Sequence, residues 1–521
     1  MKRQILKWTV LVLLFGISLI IRKPLFNRAL SDHHEWLTAH TLITFDIWNK
    51  KGIANCHYAP IYTYPLKSNK HILSLGGVDD KLGDGYYVSY PPFGFILPYF
   101  FIQTFNLPIA PWSLELFNLL LHFLGGLIIY HLIKNNRAAN KYWLHPSALA
   151  AFIAYTFSAS TLWFLCNAYF VDMQAQFFLI AIIYCWIKIQ TSTIDKSKFN
   201  GYVFTLLILY FCLCFTEWVG FLLGIVFFIY TLLNHNFYKN FKLLVMLLTM
   251  ALSALLLTIF MYAKIDGLTH LHQAVAEKYI SRSGWNNDAA ESQLSIFSTE
   301  GINSIIHHYK SNFAPLIKWL FVMLLLAVGL HFSAKKTIKS ILHKSEINLL
   351  LIAAMPILLH HILLFNFTAV HDFSTTKTAI LFSIMAAIVV NKLFENIIHS
   401  KLYLLLFFVV SSFYGYKMIE QYYLMNKPNY DTLYFKSVAI EIAKSNDDEV
   451  VFLNQENKYM PWNLPQYIFY SKRNCMPFEN DSTTLIELKK MHQTKARIID
   501  VPWNDGKVFL KKFNSRILTQ K

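Results

Sequence analysis

Ser31-Asp32-His33-His34-Glu35 follows the first apolar run of the chain and gathers two carboxylates and two imidazoles. Such groups can take up a proton, orient a hydroxyl or ligate a metal ion. Asp172 opens another apolar run, Glu217 lies between two more, and His371-Asp372 precedes a further one that Lys377 opens. Ionisable groups beside apolar spans are costly and mark functional paths. Each also has a plainer reading. Ser31 can cap a helix, with Asp32 in its first turn and Glu35 adding favourable charge. Asp172 likewise suits a helix start. Glu217 resists that account, because its neighbours Cys214, Phe215, Trp218 and Val219 offer no partner. His33-His34 and His360-His361 are adjacent pairs, and adjacent side chains on a helix diverge by about 100°. Each pair then supplies one metal ligand at most, so a divalent metal ion is the lesser reading and stays open. Asp79-Asp80, in a Gly-rich stretch, reads as a turn rather than a metal site.

Membrane helices must position these groups. Hydrophobic residues make up 55% of the 521 and charged residues 15%, well below the usual charged share of about 25% in soluble domains. Apolar runs at 5–21, 112–134, 145–166, 173–191, 202–216, 218–234, 243–264, 315–333, 347–366, 376–391 and 402–418 give about eleven expected spans. The stretch 91–105, with Pro91, Pro92 and Pro98, is short for a span and reads as an interfacial or re-entrant helix. Lys and Arg fill alternate short connections, which explains the net charge of +17 without nucleic acid and places the N-terminus in the cytoplasm. Asp32, Asp172, Glu217 and His371 then share the opposite face.

Residues 1–418 thus read as a polytopic α-helical membrane unit with long outer loops at 22–111 and 265–313. Helices are expected in the second loop at 269–282 and 300–310. In the first loop, 35–50 reads as an amphipathic interfacial helix ended by Gly52. A hairpin is expected between 72–75 and 86–90. Residues 419–521 read as a small extracytoplasmic α/β domain, with helices at 431–445 and 482–492 and strands at 449–453 and 496–501. The six cysteines show no CxxC spacing and imply no disulfide framework.

An acidic first loop closed by Tyr90-Pro91-Pro92, an acid at the outer end of a later span and a late His371-Asp372-Phe373 motif resemble one known family. Together they are similar to the GT-C membrane glycosyltransferases, in the branch holding protein O-mannosyltransferases and aminoarabinose transferases. The resemblance covers 1–418. It implies an inverting transfer from a polyprenyl-phosphate-linked sugar donor to an acceptor hydroxyl on a lipid, glycan or protein, in a plasma membrane. It makes Asp32 the general base, with Glu35 the alternative, since the paired acids usual in the family stand three apart here. Asp172 would orient acceptor or sugar. His371 and Lys377 would steady the leaving phosphate, with Arg22, Arg28 and Arg282 as further cations for it. His33, Tyr90, Glu217 and Asp372 complete the expected substrate contacts. A non-catalytic membrane scaffold or a transporter of lipid-linked glycans are the competing classes. A transporter would show repeated halves and interrupted midplane helices; the sequence shows no such repeat, and its acids lie at span ends rather than centres.

Overall fold

The structure is a computed structural model. It describes residues 2–26, 28–30, 34–72, 77–135, 145–167, 169–191, 196–233, 237–285, 294–296, 298–333, 343–397, 401–426, 432–455, 464–501 and 513–520. Asp32 and His33 lie outside the described residues.

Helix α1 (Lys2–Arg22) is followed by α2 (Glu35–Lys51), α3 (Phe93–Thr104) and α4 (Pro111–Asn135). Next come α5 (Pro146–Phe157), α6 (Ala159–Asn167), α7 (Val171–Thr191), α8 (Lys196–Cys214) and α9 (Val219–Leu233). The long α10 (Phe237–Ser283) and α11 (Thr299–Ser333) lead to α12 (Lys344–Leu363), the short α13 (Phe365–Val370), α14 (Ala379–Ile397) and α15 (Lys401–Asn426). This is an integral membrane protein: among the described residues seven helices are long and apolar enough to span a bilayer, or eight if α5 and α6, bent by 56°, form one span. The remaining expected spans fall on helices too. However, Asn200–Cys214 and Val219–Leu233 are shorter apolar helices, so length and composition support fewer crossings than eleven.

The spans Val171–Gln190 and Asp372–Phe394 are the most enclosed, each with 83% of its apolar window buried, against 17% for Gln4–Arg22. The bundle is therefore built around α7, whose first turn carries Asp172, and α14, which follows directly on a 3-10 turn carrying Lys377. Helix α10 breaks at Asp266 and Gly267, where φ of +87° is natural only for glycine. Its continuation to Ser283 accounts for the helix expected at 269–282, and the first turns of α11 for that at 300–310.

Two local expectations change. Helix α2 begins at Glu35, with His34 rather than Ser31 at its N-cap and no side-chain cap bond. It is also not interfacial: Thr38, Leu42, Phe45, Ile47 and Trp48 are all buried, because α2 is covered by α4 on one side and by C-terminal helix α17 (below) on the other. Gly52 does end it, at φ +83°. Of the hairpin expected between 72–75 and 86–90, residues 73–75 lie outside the described residues; the described pairing is β1 (Val78–Asp79) antiparallel to β2 (Gly85–Tyr86). Asp80 Oδ1 accepts from the Leu82 and Asp84 N–H groups, so the Asp-Gly stretch is a turn.

The C-terminal region adds α16 (Thr432–Ala443), β3 (Glu449–Gln455), α17 (Leu464–Ser471), β4 (Cys475–Pro477), α18 (Asp481–Lys490), β5 (Lys495–Val501) and β6 (Asn514–Thr519). The sheet order is β4-β3-β5-β6, parallel except for β6. Alternation decides its faces: Val450, Phe452, Ala496 and Ile498 enclose one small core, while Val451, Leu453, Ile499 and Val501 join the main core.

Candidate active site

Glu217 finds its partners across the fold. The turn between α8 and α9 holds it, and its Oε2 accepts the Val219 N–H at 2.7 Å. That turn is tight: a Cβ on Gly220 would stand 2.8 Å from the Cys214 backbone nitrogen. Gly220→Ala is expected to cost about 1–3 kcal/mol through overpacking, read as a lowered thermal midpoint of the purified protein. The other carboxylate oxygen meets His360 Nε2 of α12 at 2.9 Å and lies 3.9 Å from Lys377 Nζ. Lys377 also donates to Asp172 Oδ1. All four side chains are buried. Burial pushes the Glu217 carboxyl up, but Lys377 and His360 outweigh it and hold the group below the usual carboxylate range. The cluster is thus an internally compensated array of two carboxylates, one ammonium and one imidazole.

Two loops close over it. Arg28 grips Glu35 bidentately, at 2.7 and 3.2 Å. His34 Nε2 meets Asp372 at 2.8 Å, and its ring abuts His371, Phe373 and Phe170 edge-on. Phe170 stacks on Phe373 at 4.1 Å, which ties the segment before Asp172 to the segment before Lys377. His371 is packed between Phe367 and Phe373, and burial pushes its imidazole well down.

Tyr90 borders the cluster. It lines a small aromatic recess with Tyr87, Tyr169, Phe170 and Asp172, and the Arg282 guanidinium sits over its ring at 5.0 Å. Arg282 also lies over Phe367 at 5.1 Å and donates to the Tyr87 hydroxyl at 3.3 Å. From Arg282 opens a cavity of about 400 Å³ walled by Val88, Trp218, Phe221, Leu222, Leu255 and Leu363, with His360 also on its lining. Lys278, four residues before Arg282 on α10, puts a second cation on the same wall. An apolar groove with two cations can hold a lipid chain bearing an anionic head.

The other expected cations are engaged within the protein. Lys377 is paired with Asp172 and Glu217. Arg22 is a buried tie, donating to the Leu162 and Thr161 carbonyls and meeting His122 Nδ1 at 2.9 Å. Arg28 is engaged with Glu35. Of the expected cations, Arg282 alone lines the groove, joined there by Lys278, which sequence reasoning missed. Their i, i+4 spacing beside Tyr279 was the available signal. Among the described residues, no three His, Cys, Asp or Glu side chains are placed to hold a metal ion.

No family model and no curated protein matches the chain. Solved structures do. The apo ArnT of Cupriavidus metallidurans aligns with a TM-score of 0.55 at 11% identity, over 95% of this chain and 92% of that one. The same protein bound to undecaprenyl phosphate gives 0.52 at 11% identity, over 95% and 92%. The oligosaccharyltransferase AglB of Archaeoglobus fulgidus, in complex with an inhibitory peptide and a dolichol-phosphate, gives 0.56 at 11% identity over 95% and 69%. The fold is the one shared by ArnT and AglB. This likeness of fold covers 95% of the chain, more than the stretch 1–418 in which the short motifs lie.

Proposed function

We propose that this protein is an inverting glycosyltransferase that moves a sugar from a polyprenyl-phosphate donor to an acceptor hydroxyl at the extracytoplasmic membrane face. The observation that carries the reading is the junction of an apolar, cation-bearing groove with a buried carboxylate cluster. The groove suits a polyprenyl chain, and Arg282 and Lys278 suit its phosphate. The fold likeness supports the same reading, since the solved neighbours were captured with undecaprenyl phosphate and dolichol-phosphate.

In the proposed reaction the acceptor oxygen attacks the anomeric carbon from the face opposite the phosphate. The new C–O bond forms as the sugar–phosphate C–O bond breaks, and the polyprenyl phosphate leaves with the electron pair. Arg282 and Lys278 stabilise the charge gathering on that phosphate. The acceptor proton passes to a carboxylate. Glu35 is committed to Arg28, which weakens it as a base, so the role falls to Asp32. Asp172, fixed by Lys377 beside Tyr90, orients the sugar or acceptor, and the aromatic recess supplies a stacking face.

Arg282→Gln tests the groove. A charged hydrogen bond is worth about 1.5–3 kcal/mol, so polyprenyl phosphate should bind the purified variant roughly 10–100-fold more weakly. Trp218 fluorescence or native mass spectrometry would measure it. Undiminished binding would place the phosphate elsewhere.

A further inference from the structure

Glu217 is buried and charged, yet the proposed transfer gives it no task. Its Oε1 meets His360 Nε2 at 2.9 Å and lies 3.9 Å from Lys377 Nζ. An ionised carboxylate only accepts, so the hydrogen of the His360 bond is on Nε2. His360 stands three residues before the end of α12 and is 1% exposed.

The fold treats the two imidazoles of the His360-His361 pair differently. His361 has a partner at each ring nitrogen: the Tyr309 hydroxyl lies 3.1 Å from Nε2 and the Thr368 hydroxyl 3.4 Å from Nδ1. Nδ1 of His360 is buried and has no hydrogen-bond partner among the described residues. A buried polar atom left unmatched is costly, so its missing partner needs an account.

Charge and place supply one. Asp172 and Glu217 bring two negative charges and Lys377 one positive, so an imidazolium at His360 makes the buried array neutral. Both ring nitrogens then carry hydrogen, and Nδ1 becomes a donor in want of an anion. The ring borders the groove whose wall also carries Arg282 and Lys278. Phe367 links the two sides: the Arg282 guanidinium lies 5.1 Å from its ring centre and the His360 ring 6.2 Å from the same centre.

We propose that His360 is a third ligand of the donor phosphate, giving its Nδ1 hydrogen to a phosphate oxygen, and that Glu217 is the positioning residue that holds the ring in place and charged. This rests on the reading of the groove as a polyprenyl-phosphate site. Glu217 then acts on the phosphate from the far side of the imidazole, and the buried cluster and the groove become two ends of one chain of charges.

Substitutions of His360 in the purified full-length protein separate its two nitrogens. The amide nitrogen of glutamine reaches the place of Nε2, and that of asparagine the place of Nδ1. His360→Gln therefore keeps the Glu217 bond and removes the Nδ1 donor. Native mass spectrometry should show polyprenyl phosphate bound roughly 10- to 100-fold more weakly, the strength of one charged hydrogen bond. Uncharged polyprenol of the same length should bind as it does to wild type, and the thermal midpoint should hold. His360→Asn does the reverse: its midpoint falls, because Glu217 loses a partner, yet it binds the phosphate more tightly than His360→Gln. Glu217→Gln touches no ligand and should weaken phosphate binding without altering polyprenol binding.

Wild-type phosphate affinity in His360→Gln overturns the proposal. So does an equal loss of polyprenol binding, which shows a reshaped groove, or equal phosphate binding by the two His360 variants. Unchanged phosphate binding in Glu217→Gln overturns the positioning role. A wild-type protein that binds no polyprenyl phosphate overturns the reading of the groove itself, an outcome seen before any variant is made.

Discussion

Lys377→Met is expected to be the most damaging single substitution in the bundle. The ammonium of Lys377 is shared by Asp172 and Glu217, both buried beside it. Methionine fills similar space but leaves two carboxylates in a low-dielectric interior, with His360 and the Val219 N–H still on Glu217. Removing one member of a buried ion cluster costs about 3–5 kcal/mol, because the other charges are stranded. The thermal midpoint should fall steeply, and transfer should be lost with the geometry of Asp172. Adding Asp172→Asn to Lys377→Met should restore part of the stability, since the stranded charge goes with it. A double variant no more stable than the single one would show that the two groups are not coupled as described.

Asp32→Asn has the larger expected effect on rate. Losing a general base slows the chemical step by about 10²–10⁴-fold. The amide matches the carboxylate in size, so folding and polyprenyl-phosphate binding should be unaltered. Glu35→Gln makes the informative contrast: it removes the charged partner of Arg28 and should lower stability as well as rate. If Glu35→Gln abolishes transfer while Asp32→Asn retains it, the two acids exchange roles.

The membrane architecture was legible because apolar runs of bilayer length leave few alternatives. The candidate cluster was legible in part. Asp172, Glu217 and Lys377 could be picked out individually as charges placed where charge is costly, but their pairing could not. Glu217 has no side-chain partner among its chain neighbours, which offer it only the Val219 N–H; its charged partners His360 and Lys377 are each more than 140 residues away. The apparent surplus of cations for a phosphate dissolved for the same reason: Arg22, Arg28 and Lys377 are each consumed by a tertiary contact. Helix α2 misled through composition. Its Trp36, Leu37, Phe45 and Trp48 suit an interface, and nothing local announces that α17 covers it. The grip of Arg473 and Asn474 on residues 62–69 joins segments some 400 residues apart, beyond any periodicity argument.

Bond breaking at the lipid phosphate leaves a product that can be followed directly. The purified full-length protein would be placed in vesicles containing a native extract of lipid-linked sugars, with an envelope fraction as acceptor, and free polyprenyl phosphate measured by mass spectrometry. The account predicts release that needs the acceptor and disappears in Asp32→Asn. Intact lipid-linked sugar crossing the bilayer with no release of polyprenyl phosphate would contradict it, as would equal release by both proteins.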